Sequence, residues 1–475
     1  MARRKNRIQA GPGLFEQQER NLERRLRRQR ALFIPRFLRQ AAANLQLKNA
    51  AQDQAYAIAV RWAELETSGH LPEYKETSID TQFLDQLFGE GLGYQVKTTS
   101  PSEWQLEHKF SVPEVGTADA ALGEFPKSQM PMAVVELKGA TTDLDRDRSN
   151  GRTAVQQCWD YLNALPGCSW GIVSNFRTIR LYHREKGSLS YEEFTLQELR
   201  NRDRFDEFYC LFERAGLLPS RIGQEPRALE LLRQTAKRQK EVGDDLYKEY
   251  HWRRLELIEH LQRNEGKNFD EAIRIAHKLL DRIIFIAFCE DRELLPENSL
   301  KATRTDIRMY SRAKNPAWEN FLDLFTAIDK GAKGKREITA FNGGLFADDP
   351  AINALDLADP KWTNVFAGFG NYDFSEEVNV DVLGHIFERS VTELEKLRVG
   401  GLFALKSGAE ERPPTDNGLL AAAPRRKSAK TRRAGEESPP SKMPKSAKRK
   451  RFGIYYTPPA FTGLSGCPKT TRTVF

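Results

Sequence analysis

The residues best equipped for chemistry lie in Pro131-Met-Ala-Val-Val-Glu136-Leu-Lys138-Gly139, where an apolar run ends in a carboxylate and an amine two residues apart. Side chains alternate along a strand, so Glu136 and Lys138 share one face while Leu137 enters the opposite layer. Asp119 stands 17 residues upstream, inside a second strand-like run, Gly116-Thr-Ala-Asp-Ala-Ala-Leu-Gly123. Pairing of the two strands would gather two carboxylates and an amine. Such a pair of acids suits Mg2+, a hard cation that takes oxygen ligands and keeps several waters. A neighbouring lysine can orient a water for attack on phosphorus. The chemistry indicated is phosphodiester hydrolysis.

An acid, any residue and a lysine form a cheap triplet in a chain that is 29% charged. Glu73-Tyr-Lys75, Glu107-His-Lys109, Glu265-Gly-Lys267 and Asp359-Pro-Lys361 repeat it. None of these follows an apolar run, so they are expected to lie outside the site; and an ordinary strand edge would carry Glu136 and Lys138 as an ion pair of little energetic worth.

The elements around the triplet give it a setting. A polar loop, Thr141 to Gly151, precedes a helical run from Thr153 to Leu165, with Thr153 as its N-cap and Val155, Trp159, Leu162 and Leu165 as its apolar stripe. Gln157 and Tyr161 lie four apart and share a face of that helix. Ser169 to Asn175 reads as a buried strand, and Thr178 to His183 as the next. The order strand, strand, strand, helix, strand places the acid and the Glu-x-Lys on adjacent central strands.

This order and these residues resemble the PD-(D/E)xK restriction-endonuclease superfamily, with Asp119 as the single acid, Glu136-Leu137-Lys138 as the (D/E)xK element, and Gln157-Cys-Trp-Asp-Tyr161 matching a Gln-x-x-x-Tyr helix motif of several members. The resemblance implies an α/β restriction-endonuclease-like core, a mixed sheet flanked by helices. It further implies that Asp119, Glu136 and the Leu137 carbonyl bind Mg2+ and that Lys138 works on the attacking water. Gln157 and Tyr161 would hold the helix against the site. A further acid on the helix before the first strand often completes such sites, and Glu76 is the candidate, with Asp80 and Asp85 on the same helix. Ala118 replaces the proline that gives the superfamily its name. Arg146, Arg148 and Arg152 in the loop are candidate phosphate clamps, although a solvated loop explains them as well.

Past residue 215 the periodicity becomes helical. Phe269 to Phe288 is apolar on a broad face, which predicts a helix buried in a bundle and closed by the charged run Glu290-Asp-Arg-Glu293. Phe288-Cys-Glu-Asp-Arg292, Phe341-Asn-Gly-Gly-Leu-Phe346 and the run from Val380 to Glu388 resemble the helical connector of fused type IIG restriction-modification enzymes, and Phe452-Gly-Ile-Tyr-Tyr-Thr-Pro458 resembles the segment that opens their adenine-methyltransferase domain. In that family this segment lines the S-adenosylmethionine pocket. Neither the Gly-rich cofactor turn nor an Asn-Pro-Pro-Tyr-like loop follows, so S-adenosylmethionine is expected only in a full-length relative, and the chain reads as truncated at the start of that domain. Phe366-Ala-Gly-Phe-Gly370 imitates the turn without a strand before it or a helix opening after it.

The domain plan is therefore a basic helical N-terminal arm at 1–69, a nuclease domain at 70–215, an all-α connector at 216–403, a disordered basic linker at 404–451 and a methyltransferase start at 452–475. The arm carries Arg20, Arg24, Arg25, Arg27, Arg28 and Arg30 among leucines, suited to DNA phosphates or equally to a solvated helix. At 475 residues the chain has room for two or three cores. Its net charge of +8 suits a polyanionic partner. The five scattered cysteines form no Cys-x-x-Cys pair, against a disulfide framework or a zinc ribbon. No apolar run is long enough to span a bilayer, and a cytoplasmic location is expected. No Gly-x-x-x-x-Gly-Lys-Ser/Thr loop points to ATP use. The expected partners are double-stranded DNA and a separate methyltransferase or specificity subunit. The expected function is a Mg2+-dependent DNA endonuclease of a restriction-modification system, the alternative being a catalytically inactive DNA-binding remnant of a fused enzyme.

Overall fold

The computed structural model describes residues 30–45, 50–73, 76–220, 223–307, 311–334, 336–341, 343–357, 361–374, 376–378, 382–390 and 393, with the side chains of 72 and 76–78 also outside that set. Most of the basic arm, including Arg20 to Arg28, the linker at 404–451 and the segment Phe452 to Pro458 therefore lie outside the described residues. The chain divides into two compact units, Met1–Arg238 and Gln239–Phe475.

The first unit is a six-stranded mixed sheet flanked by helices. In chain order it runs α1 (Pro35–Asn44), α2 (Ala50–Thr67), α3 (Glu76–Phe83), a π-helical stretch Leu84–Gly91, β1 (Trp104–Val112), β2 (Gly116–Phe125), β3 (Ala133–Leu137), α4 (Ala154–Ala164), β4 (Trp170–Ser174), β5 (Thr178–His183), β6 (Tyr191–Thr195) and α5 (Arg202–Phe212). The strands lie in sequence order across the sheet. All neighbours are antiparallel except β3 and β4. That parallel step is possible because α4 carries the chain back between them, whereas the other strands turn directly.

Both faces of the centre are covered, which explains why β3 and β4 read as continuous apolar runs. Ala133, Val135 and Leu137 pack on one side with Trp62, Phe83 and Phe88 from the helices that precede β1. Val134 and Val173 pack on the other side with Val155, Cys158 and Leu162 of α4. Leu32, Leu38, Ile58 and Trp62 belong to the first of these cores. Helices α1 and α2 are thus part of the sheet unit, not of a separate arm ending at 69, because their apolar stripes are what closes that face. The unit also extends past the expected boundary at 215 to Arg238.

A long helix, α6 (Arg227–Arg263), contributes its first residues to this unit and the rest to the second. The second unit is helical among its described residues, with α7 (Phe269–Asp291), α8 (Ser299–Thr305), α9 (Pro316–Lys330) and α10 (Lys361–Gly368). Asn268 caps α7 through the Glu271 N–H at 2.9 Å, and Asp270 and Glu271 in the first turn suit the positive end of the helix. As its periodicity indicates, α7 is the core of the unit, buried from Ala272 almost throughout. The charged run that closes it is drawn inward, with Glu290 and Arg292 buried. Glu290 accepts from the Leu300 N–H at 3.0 Å, Arg292 donates to the Phe374 carbonyl at 2.9 Å, and Asp291 accepts from the Phe374 N–H at 2.8 Å. These side chains terminate exposed backbone groups of following segments, the task burial demands. The Phe366–Gly370 imitation of a cofactor turn is the end of α10 and the 3-10 turn after it, not a strand-to-helix turn.

A polar network links α6, α7 and residues 382–390. The Tyr250 hydroxyl donates to Asp281 at 2.8 Å and meets His277 Nδ1 at 3.0 Å. Arg254 donates to Ser390 Oγ at 2.6 Å and pairs with Glu393 at 3.5 Å, and His251 meets Glu393 at 2.8 Å. Tyr250, Arg254 and Ser390 have no exposed surface.

Candidate active site on the central strands

The β2–β3 ladder pairs Ala120 with Val135, Ala121 with Val134 and Leu122 with Ala133. Continued by one residue, it sets Asp119 opposite Glu136, and residues opposite one another in a ladder share a face. The Leu137 N–H donates to Asp119 Oδ2 at 2.7 Å, which ties the two strands at the acid. Glu136 is buried and pairs through Oε1 with the Lys138 ammonium. Asp119 and Lys138 keep 15% and 16% of their side chains exposed, against 1% for Glu136. The cluster therefore opens outward through Asp119 and Lys138, with Glu136 at its floor. Lys138 is held at its backbone, where its N–H donates to the Ser174 carbonyl at 2.9 Å and extends the parallel pair past β3.

Helix α4 closes one side. Thr153 caps it in a reciprocal box with Gln156, whose backbone N–H reaches Thr153 Oγ1 at 3.2 Å while its side chain accepts from the Thr153 N–H at 3.0 Å. Gln157 donates to the Tyr161 hydroxyl at 2.7 Å, and that hydroxyl donates to the Thr117 carbonyl at 3.0 Å, two residues before Asp119. The pair read from its four-residue spacing is thus a brace between α4 and β2. Burial, with the negative charges of Glu136 and Asp119, pushes the Tyr161 phenol up to about 12 despite the Gln157 hydrogen bond. Burial likewise pushes the Cys158 thiol well up, with Glu136 adding to it. Both shifts follow from a helix laid over the acids.

The other side holds a residue that sequence reasoning set aside. Lys109, in the Glu107-His108-Lys109 triplet expected to lie outside the site, donates to Asp119 Oδ1 at 2.7 Å and to Asp80 Oδ2 at 3.3 Å. No apolar run leads into the triplet, yet it sits on β1 beside β2. His108 and Lys109 both meet acids of the preceding helical stretch, His108 reaching Asp85 at 2.8 Å. Consecutive strand residues normally face opposite ways; here Lys109 has φ 52°, which breaks the alternation. Of the acids on that helix, Asp80 is the one joined to Asp119 through Lys109. Glu76 opens α3, and its side chain lies outside the described residues.

In the loop before α4, Arg152 pairs with Asp160 at 2.8 Å, while Arg146 and Arg148 are exposed. Two carboxylates on paired strands can hold a divalent cation whose remaining positions are water or phosphate oxygen, so the acids fit Mg2+ in donor type. The set stops at two, for no group of three or more His, Cys, Asp or Glu gathers in metal-binding fashion among the described residues. No protein-family profile, no curated protein and no solved structure matches this chain. Among the described residues, no helix is long and apolar enough to cross a membrane.

Proposed function

We propose that the first unit is a metal-dependent phosphodiesterase acting on DNA. Within that class we read it as the cleaving half of a restriction system of the PD-(D/E)xK kind. The observation that carries this reading is the register that sets Asp119 opposite Glu136, with Lys138 beside them at the solvent-facing end. Bound Mg2+ supplies Lewis-acid polarisation of the scissile phosphate and charge stabilisation as the leaving oxygen departs. Asp119 and Glu136 offer the oxygens that hold it. Lys138, restrained by the β4 backbone and by Glu136, donates a hydrogen bond that orients the attacking water. Tyr161 and Gln157 keep β2 fixed at Thr117, so that Asp119 does not drift from the β3 acid. The net charge of +8 favours encounter with a polyanion. Double-stranded DNA is the proposed substrate, and S-adenosylmethionine has no proposed role in this chain.

The test is cleavage of supercoiled plasmid with Mg2+ by the full chain, by Asp119→Ala and by Lys138→Ala. Both variants are expected to lose activity by on the order of 10³-fold, the scale of removing one preorganised group from a transition state. Equal nicking by all three proteins would sink the catalytic reading. The competing reading, a DNA-binding protein without cleavage, draws on the fact that both Asp119 oxygens already have internal donors. DNA retention on a filter, with no nicking by the parent chain at any Mg2+ concentration, would favour it.

A further inference from the structure

Lys109 occupies an unusual place for a strand residue. Its neighbours in β1 pair regularly, His108 with Ala120 and Phe110 with Ala118, while Lys109 between them adopts φ 52°. A left-handed conformation costs a residue with a Cβ about 1 kcal/mol, which the surroundings must offset. What it obtains is two ion pairs at once, with Asp119 on β2 and Asp80 on α3. The two acids are nearly buried, with 15% and 4% of their side chains exposed, whereas 56% of the Lys109 side chain is exposed. The ammonium donates to Asp119 Oδ1 at 2.7 Å and to Asp80 Oδ2 at 3.3 Å. A solvent-reaching cation thus sits on the carboxylate oxygen that would otherwise be free to meet another cation.

We propose that Lys109 is an internal counter-ion of the Asp119 site: its ammonium holds Asp80 and Asp119 together in the ion-free protein and is displaced when a divalent cation binds Asp119. The proposal rests on the reading of Asp119 as a metal ligand. Lys109 acts on the site through Asp119 and is a positioning residue. Its long stem can leave Asp119 without moving β1, because the backbone stays paired on both sides of it. Without the ammonium, Asp80 and Asp119 lose the cation they share, and the arriving cation meets no competitor at Asp119 Oδ1.

The experiment uses the full chain, with Mn2+ titrated by electron paramagnetic resonance and thermal unfolding followed with and without Mn2+. Lys109→Met is expected to bind Mn2+ about tenfold more tightly than the parent, the size of one charge-assisted hydrogen bond no longer in competition. Its unfolding midpoint is expected to fall in chelator and to rejoin the parent's at saturating Mn2+. Lys109→Arg, which keeps the charge, is expected to bind Mn2+ as the parent does. Equal or weaker Mn2+ binding by Lys109→Met overturns the proposal, and Lys109→Gln replaces it in the same comparison should the methionine variant not fold. Asp119→Ala separates the two levels. If the parent's Mn2+ binding survives in Asp119→Ala, the metal reading itself falls. If that binding is lost in Asp119→Ala but unaltered in Lys109→Met, only the counter-ion role falls.

Discussion

Two polar clusters in this protein are made from the same kinds of residue and end differently. In the second unit, Tyr250, Arg254 and Ser390 are wholly buried, and His277, Asp281, His251 and Glu393 close around them. On the sheet of the first unit, Glu136 is as deeply buried, but the cluster continues outward through Asp119, Lys138 and the half-exposed Lys109. The donors differ as well. Arg254 offers a planar, permanently charged fork, suited to fixing several partners at once, while the sheet cluster relies on lysines, whose single charge sits on a flexible stem. A buried network closed in this way fixes one arrangement of helices; a network that reaches solvent leaves groups for a ligand. Charge density alone does not distinguish a site from a scaffold, and access does.

The sharpest way to break the comparison is to cut the closed network. Arg254→Met is expected to destabilise the second unit by about 3–5 kcal/mol, the cost of leaving a buried ionic partner uncompensated. Urea unfolding, with hydrogen exchange followed on α7, reads this directly. A loss below about 1 kcal/mol would place the network with surface ion pairs and remove the contrast.

A second measurement separates the units by pH. Burial pushes the Glu290 carboxyl from its ordinary 4.5 up to about 7, against the Leu300 N–H that favours its charged form. Because the folded-state pKa is the higher one, the stability it contributes is complete below pH 4.5 and is lost as pH rises toward 7. Over that window the parent is expected to lose about 3 kcal/mol from this group, and Glu290→Gln to flatten the profile. A Glu290→Gln curve as steep as the parent's would assign the pH response elsewhere.

The smallest effect tests how far the open cluster extends. Tyr161→Phe removes the hydroxyl that donates to Thr117, and a stability loss of about 1 kcal/mol is expected, with plasmid cleavage falling less than tenfold. A fall as large as that of Asp119→Ala would move Tyr161 from brace to direct contact with the substrate.

The parts of this arrangement that the sequence made legible are those with a strict period. Alternation along β3 put Glu136 and Lys138 on one face, and the four-residue step from Gln157 to Tyr161 put them side by side on α4. Thr153 announced its helix because a capping hydroxyl has a local partner three residues on. Lys109 escaped because its reach depends on one left-handed residue that breaks the alternation on which the reading relied. The sequence reads as a basic arm over 1–69 because the basic, polar faces of α1 and α2 are as prominent as the stripes that enter the core. The burial of Glu290 and Arg292 is not legible in the sequence, because the backbone groups they satisfy, at Leu300 and Phe374, come from segments further along the chain.

The stretch from Gly139 to Arg152 is pinned at both ends, by the Lys138 backbone on β4 and by the reciprocal cap at Thr153. Between these anchors Leu144 enters the core shared with α4 and Asp145 pairs with Arg180 at 2.9 Å, while 146–151 are exposed. Extra residues inserted there cost closure entropy that grows only with the logarithm of the added length. For protein engineering, this makes the exposed part of the stretch a graft point, where a peptide can be spliced in beside the acids while β3 and α4 stay as they are.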